Sequence, residues 1–399
     1  MSSDIRKTGL FLVGARGAIA TTVLHGLEGL RSGMAPVGLL TERPEFREVP
    51  FEPVGAMRAC GWDIAGDCHR AADELARIGV LPHDLVDLCG EMRDRYEYRI
   101  APGVADPRDA DLVDAASRER LDLPLPEAVA ALRADMRSWI ENERLHRAVV
   151  VYLATAERSS RLPGGWEDPE ADPLELLAAA PADLSRSLLY AVAAVAEGLP
   201  FVNFTPAVGG ACPALAGWAR RQGVPVLGND GKTGETLLKT VLAPMFRDRA
   251  LNVMSWEGYN MLGNRDGAAL SDPDRKAGKL VNKDAVLQGI LRQPALHSGV
   301  SIDFVPSLHD WKTAWDFIHF EGFLGARMSL QFTWQGSDSA LAAPLVIDLA
   351  RLALLAQDRG EGGPLLPAAP FFKAPLGLDE HDFHRQMEIL RGWLLDGER

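Results

Sequence analysis

"TGLFLVGARGAIATTVLHGLEGL", residues 8–30, passes from an apolar run through a glycine turn into a stretch with apolar residues at Ile19, Val23, Leu24 and Leu27. That order reads as strand, tight turn and helix. Gly14, Gly17 and Ala20 form G-x-x-G-x-x-A, a looser version of the dinucleotide fingerprint. Small residues in such a turn let the backbone approach a pyrophosphate at a helix N-terminus, where free N–H groups and the helix dipole favour an anion. Taken alone, the turn suits a dinucleotide and a plain strand-to-helix connection equally. A second strand is expected in "APVGLL", residues 35–40, ending near Glu42. Glu42 then stands where a ribose-binding acid belongs, or is a solvated loop carboxylate.

The alternation continues. Residues 102–125 are polar and punctuated by proline, the signature of a long surface connection. Helix patterns in "PEAVAALRADMRSWIENERL", "DLSRSLLYAVAAVAEG" and "ALAGWARRQ" lead into the strands "AVVVYLA", "PFVNF" and "PVLG". Strands alternating with helices imply a parallel, doubly wound α/β sheet. After residue 240 the period changes. In "SLQFTWQ", Leu330, Phe332 and Trp334 share one face, and Ser329, Gln331, Thr333 and Gln335 the other. With "WDFIHFEGF" just before it, this predicts an antiparallel sheet whose apolar face needs a cover, for which a second subunit is one candidate. Helix returns in "SALAAPLVIDLARLALLAQ".

With 399 residues the chain can bury a sizeable core in two or three structural units. Its apolar runs are short and bounded by charge, so no membrane span is expected. The first residues carry no long apolar targeting segment, and a cytoplasmic protein is expected. Cys60, Cys68, Cys89 and Cys212 lack metal-binding or paired spacing and read as ordinary reduced thiols. A net charge of −13 argues against nucleic acid or an anionic membrane as partner. A phosphorylated ligand must then be held by local lysines.

Three segments carry candidate chemistry besides the first glycine turn. "GNDGKTGETLLK", residues 228–239, looks like a phosphate loop, but a Walker A spacing would need glycine at Val226. The N–H groups of Gly231 to Gly234 and the hydroxyls of Thr233 and Thr236 suit an anion at a helix start, or form a ligand-free N-cap. "RKAGKLVNKDAV" carries Lys276, Lys279 and Lys283. If helical, Lys279 and Lys283 lie one turn apart, either awaiting an anion or forming a solvated face. Lys373 in "FFKAPLG" is a desolvated acid–base candidate or a snorkelling surface lysine.

Together these segments resemble the myo-inositol-phosphate synthase family. "CGWDIAGDCHRAADELARIGVL" is similar to its GWDI segment, "ATAERSS" to TANTERYS, and "SLLYAVAAVAEGLPFVNFTP" to the unit before the loop. "GNDGKTGET" is similar to GDDxKSGQT, "NMLGNRDGAALSDPDRKAGKLVNK" to YNHLGNNDGxNLSxPxxxxSKEISK, "SDSALAAPLVIDL" to EDSxLAxPLIIDL, and "FFKAPL" to FFKSPL. These segments follow in family order through residues 10–377.

The resemblance implies a Rossmann-like NAD-binding domain of residues 1–240, completed by 346–399, with an α+β catalytic and tetramerisation domain, 241–345, inserted. It implies cyclisation of glucose 6-phosphate to inositol 3-phosphate: oxidation at C5 by a tightly held, recycled NAD, enolisation, internal aldol closure onto C1, and re-reduction. A related cyclase using another sugar phosphate, or a non-catalytic NAD-binding homologue, stay open beside it. The expected partners are a small sugar phosphate and three further copies of the chain; a metal requirement is unknown.

By position, the resemblance marks Lys279, Lys283, Lys312, Lys373, Asp230 and Asp338 as catalytic. Cofactor positions are Gly14, Arg16, Gly17, Ala18, Ile19, Asp63, Ala154, Thr155, Asp230, Gly231, Thr233, Asn264 and Asp266. The substrate phosphate falls to Thr233, Gly234, Thr236 and Lys279. Three departures stand out. An ungapped match sets Trp311 where the family has a further lysine, with Lys312 beside it. Asn229 replaces an aspartate. Glu235 replaces a neutral glutamine and opposes a bound phosphate unless it points away, for which Arg265 would compensate.

Overall fold

A computed structural model describes residues 6–154, 157–158, 161–264, 267, 286–293 and 295–397. In chain order its strands are β1 (Lys7–Val13), β2 (Met57–Asp63), β3 (Ile100–Pro102), β4 (Leu145–Tyr152), β5 (Phe201–Asn203), β6 (Pro225–Leu227), β7 (Asn252–Leu262), β8 (His297–Phe304), β9 (Trp311–Glu321), β10 (Arg327–Ser337) and β11 (Gly363–Pro364). The α-helices are α1 (Ala18–Arg31), α2 (Cys68–Arg77), α3 (His83–Leu88), α4 (Gly90–Glu97), α5 (Leu125–Asn142), α6 (Pro173–Leu176), α7 (Arg186–Ala196), α8 (Pro213–Gln222), α9 (Glu235–Asp248), α10 (Asp338–Asp358) and α11 (Phe383–Leu395). A helical stretch also covers 286–291.

The first sheet is wholly parallel, in the order β11-β6-β5-β4-β1-β2-β3. Leaving aside β11, this is the strand order of the doubly wound dinucleotide fold, whose topological switch lies between β1 and β4. Both sheet faces are buried. Leu10, Leu12, Val149 and Val151 pack with α1, α10 and α11 on one side. Phe11, Val13, Val150 and Tyr152 pack with α5, α7 and α8 on the other. Two-sided burial explains why β1 and β4 are continuous apolar runs rather than alternating ones. Helix α10 is apolar and long enough to cross a membrane by composition, but it is a core helix, with Ala342 to Ala356 packed against α1 and the sheet.

The expected strand over 35–40 does not form. Those residues are largely exposed, and the chain enters a 3₁₀ turn at Leu40–Glu42. The backbone N–H groups of Leu40 and Thr41 donate to the buried Asp348 carboxylate of α10, not to a sheet neighbour. Glu42 is accordingly not the acid at the end of the second strand: it pairs with Arg351 at 2.6 Å. The second strand is β2, and the acid at its end is Asp63.

The second sheet has the order β10-β9-β7-β8. It is antiparallel from β10 to β7 as expected, but β7 and β8 run parallel, so the sheet is mixed. Its inner face holds Val253, Trp256, Ile318, Leu330 and Phe332 against Ala243 and Phe246 of α9 and against the stretch 286–291. The apolar face of β10 is therefore partly covered by the chain itself. The opposite face stays open, with Tyr259, Trp315, Phe317 and His319 in a stepped row of ring contacts.

Gly61 shows how tightly β2 is seated on β1. A Cβ there would lie 2.1 Å from the Leu12 carbonyl oxygen and 2.9 Å from the Ala15 Cβ. Neither neighbour is a flexible side-chain end. Gly61→Ala is expected to cost about 1–3 kcal/mol of stability, the usual range for overpacking, read as a lower urea midpoint; an unchanged midpoint would refute that seating.

Candidate active site

The glycine turn follows β1. Gly14 has φ of +88°, and a Cβ on it would come within 3.1 Å of the Ala154 main chain at the end of β4. A side chain is excluded there by both conformation and space. Gly17 is the N-cap of α1 and supplies no side-chain cap. The N–H groups of Ala18 and Ile19, in the first turn, thus lack intrahelical acceptors, as at any helix start, where an anion is favoured. The Asp63 carboxylate at the end of β2 accepts from the Arg16 backbone N–H at 2.7 Å and from that of Ile64 at 2.8 Å. Burial raises its pKa, and these bonds oppose the rise. The Arg16 guanidinium is engaged by Glu97 at 2.6 Å. Gly14, Arg16, Gly17, Ala18, Ile19, Asp63 and Ala154 are therefore brought together at the switch point; Thr155 and Asp266 lie outside the described residues.

The 228–234 loop is held differently from the expected phosphate cradle. The Gly231 N–H donates to Phe204 O at 3.0 Å and the Lys232 N–H to Phe371 O at 2.8 Å. Those two groups are not available to an anion. What stays open is the start of α9, whose N-cap Gly234 has no side-chain cap. Thr236 is buried on that first turn and Thr233 partly so. Lys373 reaches the loop from the far end of the chain: its Nζ donates to Asp230 Oδ1 at 2.7 Å, with both side chains largely buried. Asn229 turns its side-chain Nδ2 to Ala207 O, into the protein.

The α9 start rests on the inner face of the second sheet. Gly234 lies against the Trp334 indole, at 3.1 Å from its would-be Cβ. Glu235 is fully buried and pairs with Lys239 at 2.7 Å, with Asp316 3.9 Å from the same ammonium. Gly258 of β7 makes room for this group, since a Cβ there would meet Glu235 at 2.4 Å. The extra carboxylate thus points away from the open turn and is matched by a cation. Asn260, one step further along the same face, is fully buried, and neither side-chain polar atom has a hydrogen-bond partner among the described residues. Such an amide is costly unless something else completes it.

Strand alternation sets Trp311 and Lys312 on opposite faces of β9. Trp311 is 39% exposed and its indole N–H donates to Ile78 O at the end of α2. Lys312, the next residue, must face the other way. Its side chain is only 15% exposed and its Nζ lies 3.9 Å from Asp338 Oδ1. Asn264 donates to the other oxygen of Asp338 at 3.3 Å. Lys312, Asp338 and Asn264 therefore form one group, while Lys279, Lys283 and Arg265 lie outside the described residues. Among the described residues, no group of three His, Cys, Asp or Glu side chains is placed to hold a metal.

Three supporting residues carried no sequence signal strong enough to single them out. Asp310 accepts from the Ser337 and Ser339 hydroxyls and from the Ser339 N–H, tying the start of α10, and with it Asp338, to β9. Glu157 accepts from Tyr152 Oη and from the N–H groups of Arg186 and Ser187, closing the start of α7. Lys232 is buried with its Nζ donating to Gln386 at 2.8 Å. Burial, then the charge of Lys373, pushes its pKa down to about 7. A fully desolvated lysine is legible only once the fold has closed around it.

The first sheet and its glycine turn define an α/β protein with the doubly wound, Rossmann-like fold, to which a second, mixed sheet is added. A family model described as myo-inositol-1-phosphate synthase matches residues 234–339. The chain is 33% identical over 406 residues to inositol-3-phosphate synthase 1 of Bacteroides thetaiotaomicron, covering 96% of this chain and 91% of that protein. It is 31% identical over 406 residues to inositol-3-phosphate synthase isozyme 1 of Arabidopsis thaliana, covering 90% and 78%. Among solved structures, the inositol-3-phosphate synthase of Caenorhabditis elegans superposes with a TM-score of 0.85 at 24% identity, covering 98% of this chain and 86% of that one. A myo-inositol-1-phosphate synthase-related protein of Thermotoga maritima does so at 0.76 and 25% identity, covering 97% and 98%. The chain belongs to the myo-inositol-1-phosphate synthase family of enzymes.

Lys232 makes stability depend on pH in a defined direction. Between about 7, its folded pKa, and its ordinary 10.5, the unfolded chain binds a proton there that the folded chain does not. Stability from this group therefore rises with pH across that window and is lost as pH falls towards 7, by up to about 1.4 kcal/mol per pH unit. Urea unfolding at pH 7.5 and 9.5 is expected to show wild type gaining on Lys232→Met by about 2–3 kcal/mol. A difference that does not change with pH would refute the desolvated amine.

Proposed function

We propose that this enzyme cyclises D-glucose 6-phosphate to 1D-myo-inositol 3-phosphate with a tightly held NAD. The observation that carries the reading is the inward turn of Lys312 onto Asp338 and Asn264. It supplies the cation that a strict alignment replaces with Trp311. The residues at the switch point suit the cofactor: Gly14 and Gly17 admit a pyrophosphate, and Asp63 at the end of β2 suits a ribose. Asp63, Glu97 and Asp114 would oppose the further phosphate of NADP. When bound, NAD supplies a hydride acceptor for C5 of the sugar and returns the hydride after ring closure.

Proton removal at C6 and attack of C6 on the C1 aldehyde put negative charge on sugar oxygens, so the site must provide cations and a proton carrier. Lys373, paired with Asp230, holds a proton at Nζ at the mouth of β6 and is suited to exchange it with the C5 oxygen. Lys312 brings a second ammonium, oriented by Asp338. The family resemblance assigns Lys279 and Lys283 to the same oxygens. The uncapped first turn of α9 offers its N–H groups to the phosphate, while the Asn260 amide suits sugar hydroxyls. With Glu235 matched by Lys239, no free carboxylate opposes that phosphate from this position.

The open outer face of the second sheet suits a second copy of the chain, and assembly to a homotetramer is part of the proposal. Tyr259 and Trp315 stand there 47% and 38% exposed. Burying such aromatic area is what drives obligate interfaces.

Incubation with NAD and glucose 6-phosphate is expected to yield inositol phosphate. NAD retention without product would refute the proposed reaction. Lys312→Ala is expected to lower kcat by about 100-fold or more, the scale of a lost electrostatic stabiliser, and Trp311→Ala by less than about tenfold. The reverse ranking would return the role to position 311. Trp315→Glu is expected to shift the species seen by light scattering to a smaller assembly; an unchanged mass would remove this face from the interface.

A further inference from the structure

At the opposite end of β2 from Asp63, α1, β2 and α4 enclose a cavity of about 310 Å³. Leu27, Met57 and Met92 give it apolar walls, and four arginines border it: Arg31, Arg58, Arg95 and Arg99. Two of these are matched by carboxylates. Arg31 pairs with Glu28 at 2.9 Å, and Arg99 donates twice to Glu143 at 2.8 and 2.6 Å. The other two are not. Arg58 donates only to the carbonyls of Gly55 and Met57, and Arg95 has no ion pair among the described residues. The guanidinium pKa of Arg58 is lowered, first by burial and then by the charges of Arg31 and Arg99. Four guanidinium groups against two carboxylates leave two positive charges in excess, in a chain whose net charge is −13.

Arg31 and Arg95 stand exposed at the rim, with Arg58 and Arg99 half-buried, and the excess of positive charge around one cavity favours an anion between the forks. Guanidinium groups recognise phosphate oxygens bidentately and tolerate partial desolvation better than ammonium does. The cavity lies within the size range of small-ligand sites, and its apolar walls with a few convergent polar groups match their usual lining.

We propose that this cavity is an effector site for a small phosphorylated anion, a phosphomonoester or a pyrophosphate, separate from both the dinucleotide turn and the α9 start. Helix α4 links it to the cofactor end. Met92 and Arg95 line the cavity, while the next two residues reach the glycine turn: Tyr96 Oη donates to Ala15 O at 2.9 Å and Glu97 holds Arg16 at 2.6 Å. An anion that draws Arg95 towards Arg58 acts on the helix that positions that turn, so effector and dinucleotide affinities are coupled, reciprocally.

Titration of the full chain with inorganic phosphate and, separately, pyrophosphate, followed by melting temperature, tests the site. Wild type is expected to melt higher with either probe. Arg58→Gln/Arg95→Gln should need at least about tenfold more probe for the same rise, the loss carried by one charge-assisted hydrogen bond. No rise in wild type, or an unchanged titration in the variant, overturns the proposal. If the double variant does not fold, Arg95→Gln alone is expected to weaken the response by about threefold or more, and an unchanged response overturns it likewise. Amide exchange separates this site from the sugar-phosphate site. Protection by pyrophosphate is expected over residues 90–97; protection confined to 14–17 or to 231–236 would assign the anion to the dinucleotide turn or to the α9 start and refute the effector site.

Discussion

The short exchange of main-chain hydrogen bonds between Gly228–Lys232 and Phe371–Leu376 is what makes one site out of distant parts of the chain. Asn229 N–H donates to Ala374 O, Lys232 N–H to Phe371 O, Lys373 N–H to Asp230 O, and Leu376 N–H to Gly228 O. This ladder closes a loop of roughly 140 residues, whose entropy cost grows only slowly with length. It sets the Lys373 ammonium on the Asp230 carboxylate at the mouth of β6. It also fixes where the loop ends and hence where α9 begins. The uncapped first turn of that helix, the matched Glu235–Lys239 pair and the contact of Gly234 with Trp334 all follow from this placement.

The second constraint is parity. In β9 adjacent residues face opposite sides, so Trp311 and Lys312 cannot share a role. The register with β7 and β10 sets Lys312 beside Leu262 and Gly336, on the side that carries Asn260 and Asp316. A Cβ at Gly336 would meet Leu341 at 3.2 Å and the Trp334 indole at 3.6 Å. The same parity sends Tyr259, Trp315 and Phe317 outward, which is why one face of the sheet carries Lys312 and Asn260 and the other is a candidate interface.

Much of this was legible before the fold. The β1–turn–α1 unit, the alternation up to β6, the strands β9 and β10 and the apolar α10 each show in local periodicity, because two-sided burial and strand pleat leave direct marks on residue spacing. The second strand was not legible. "APVGLL" has the apolar content of a strand, but its backbone donors are satisfied by a carboxylate some 300 residues away, Asp348 on α10. Nor could spacing tell which face of β10 the chain would cover, since α9 and the 286–291 stretch reach it from outside the sheet.

By itself, the sequence determined the doubly wound class, the two-sheet division and the family. Those depend on hydrophobic period and on short motifs, both of which are local. Tertiary structure alone decided which backbone N–H groups stay open to an anion, which of two adjacent residues faces the site, and whether a carboxylate opposes the ligand or is matched. It also set Lys232 titrating near neutrality and gathered four arginines around one cavity. These outcomes depend on burial and on partners far away in the chain, and electrostatic interactions take their sign and size from distances that only the folded protein defines.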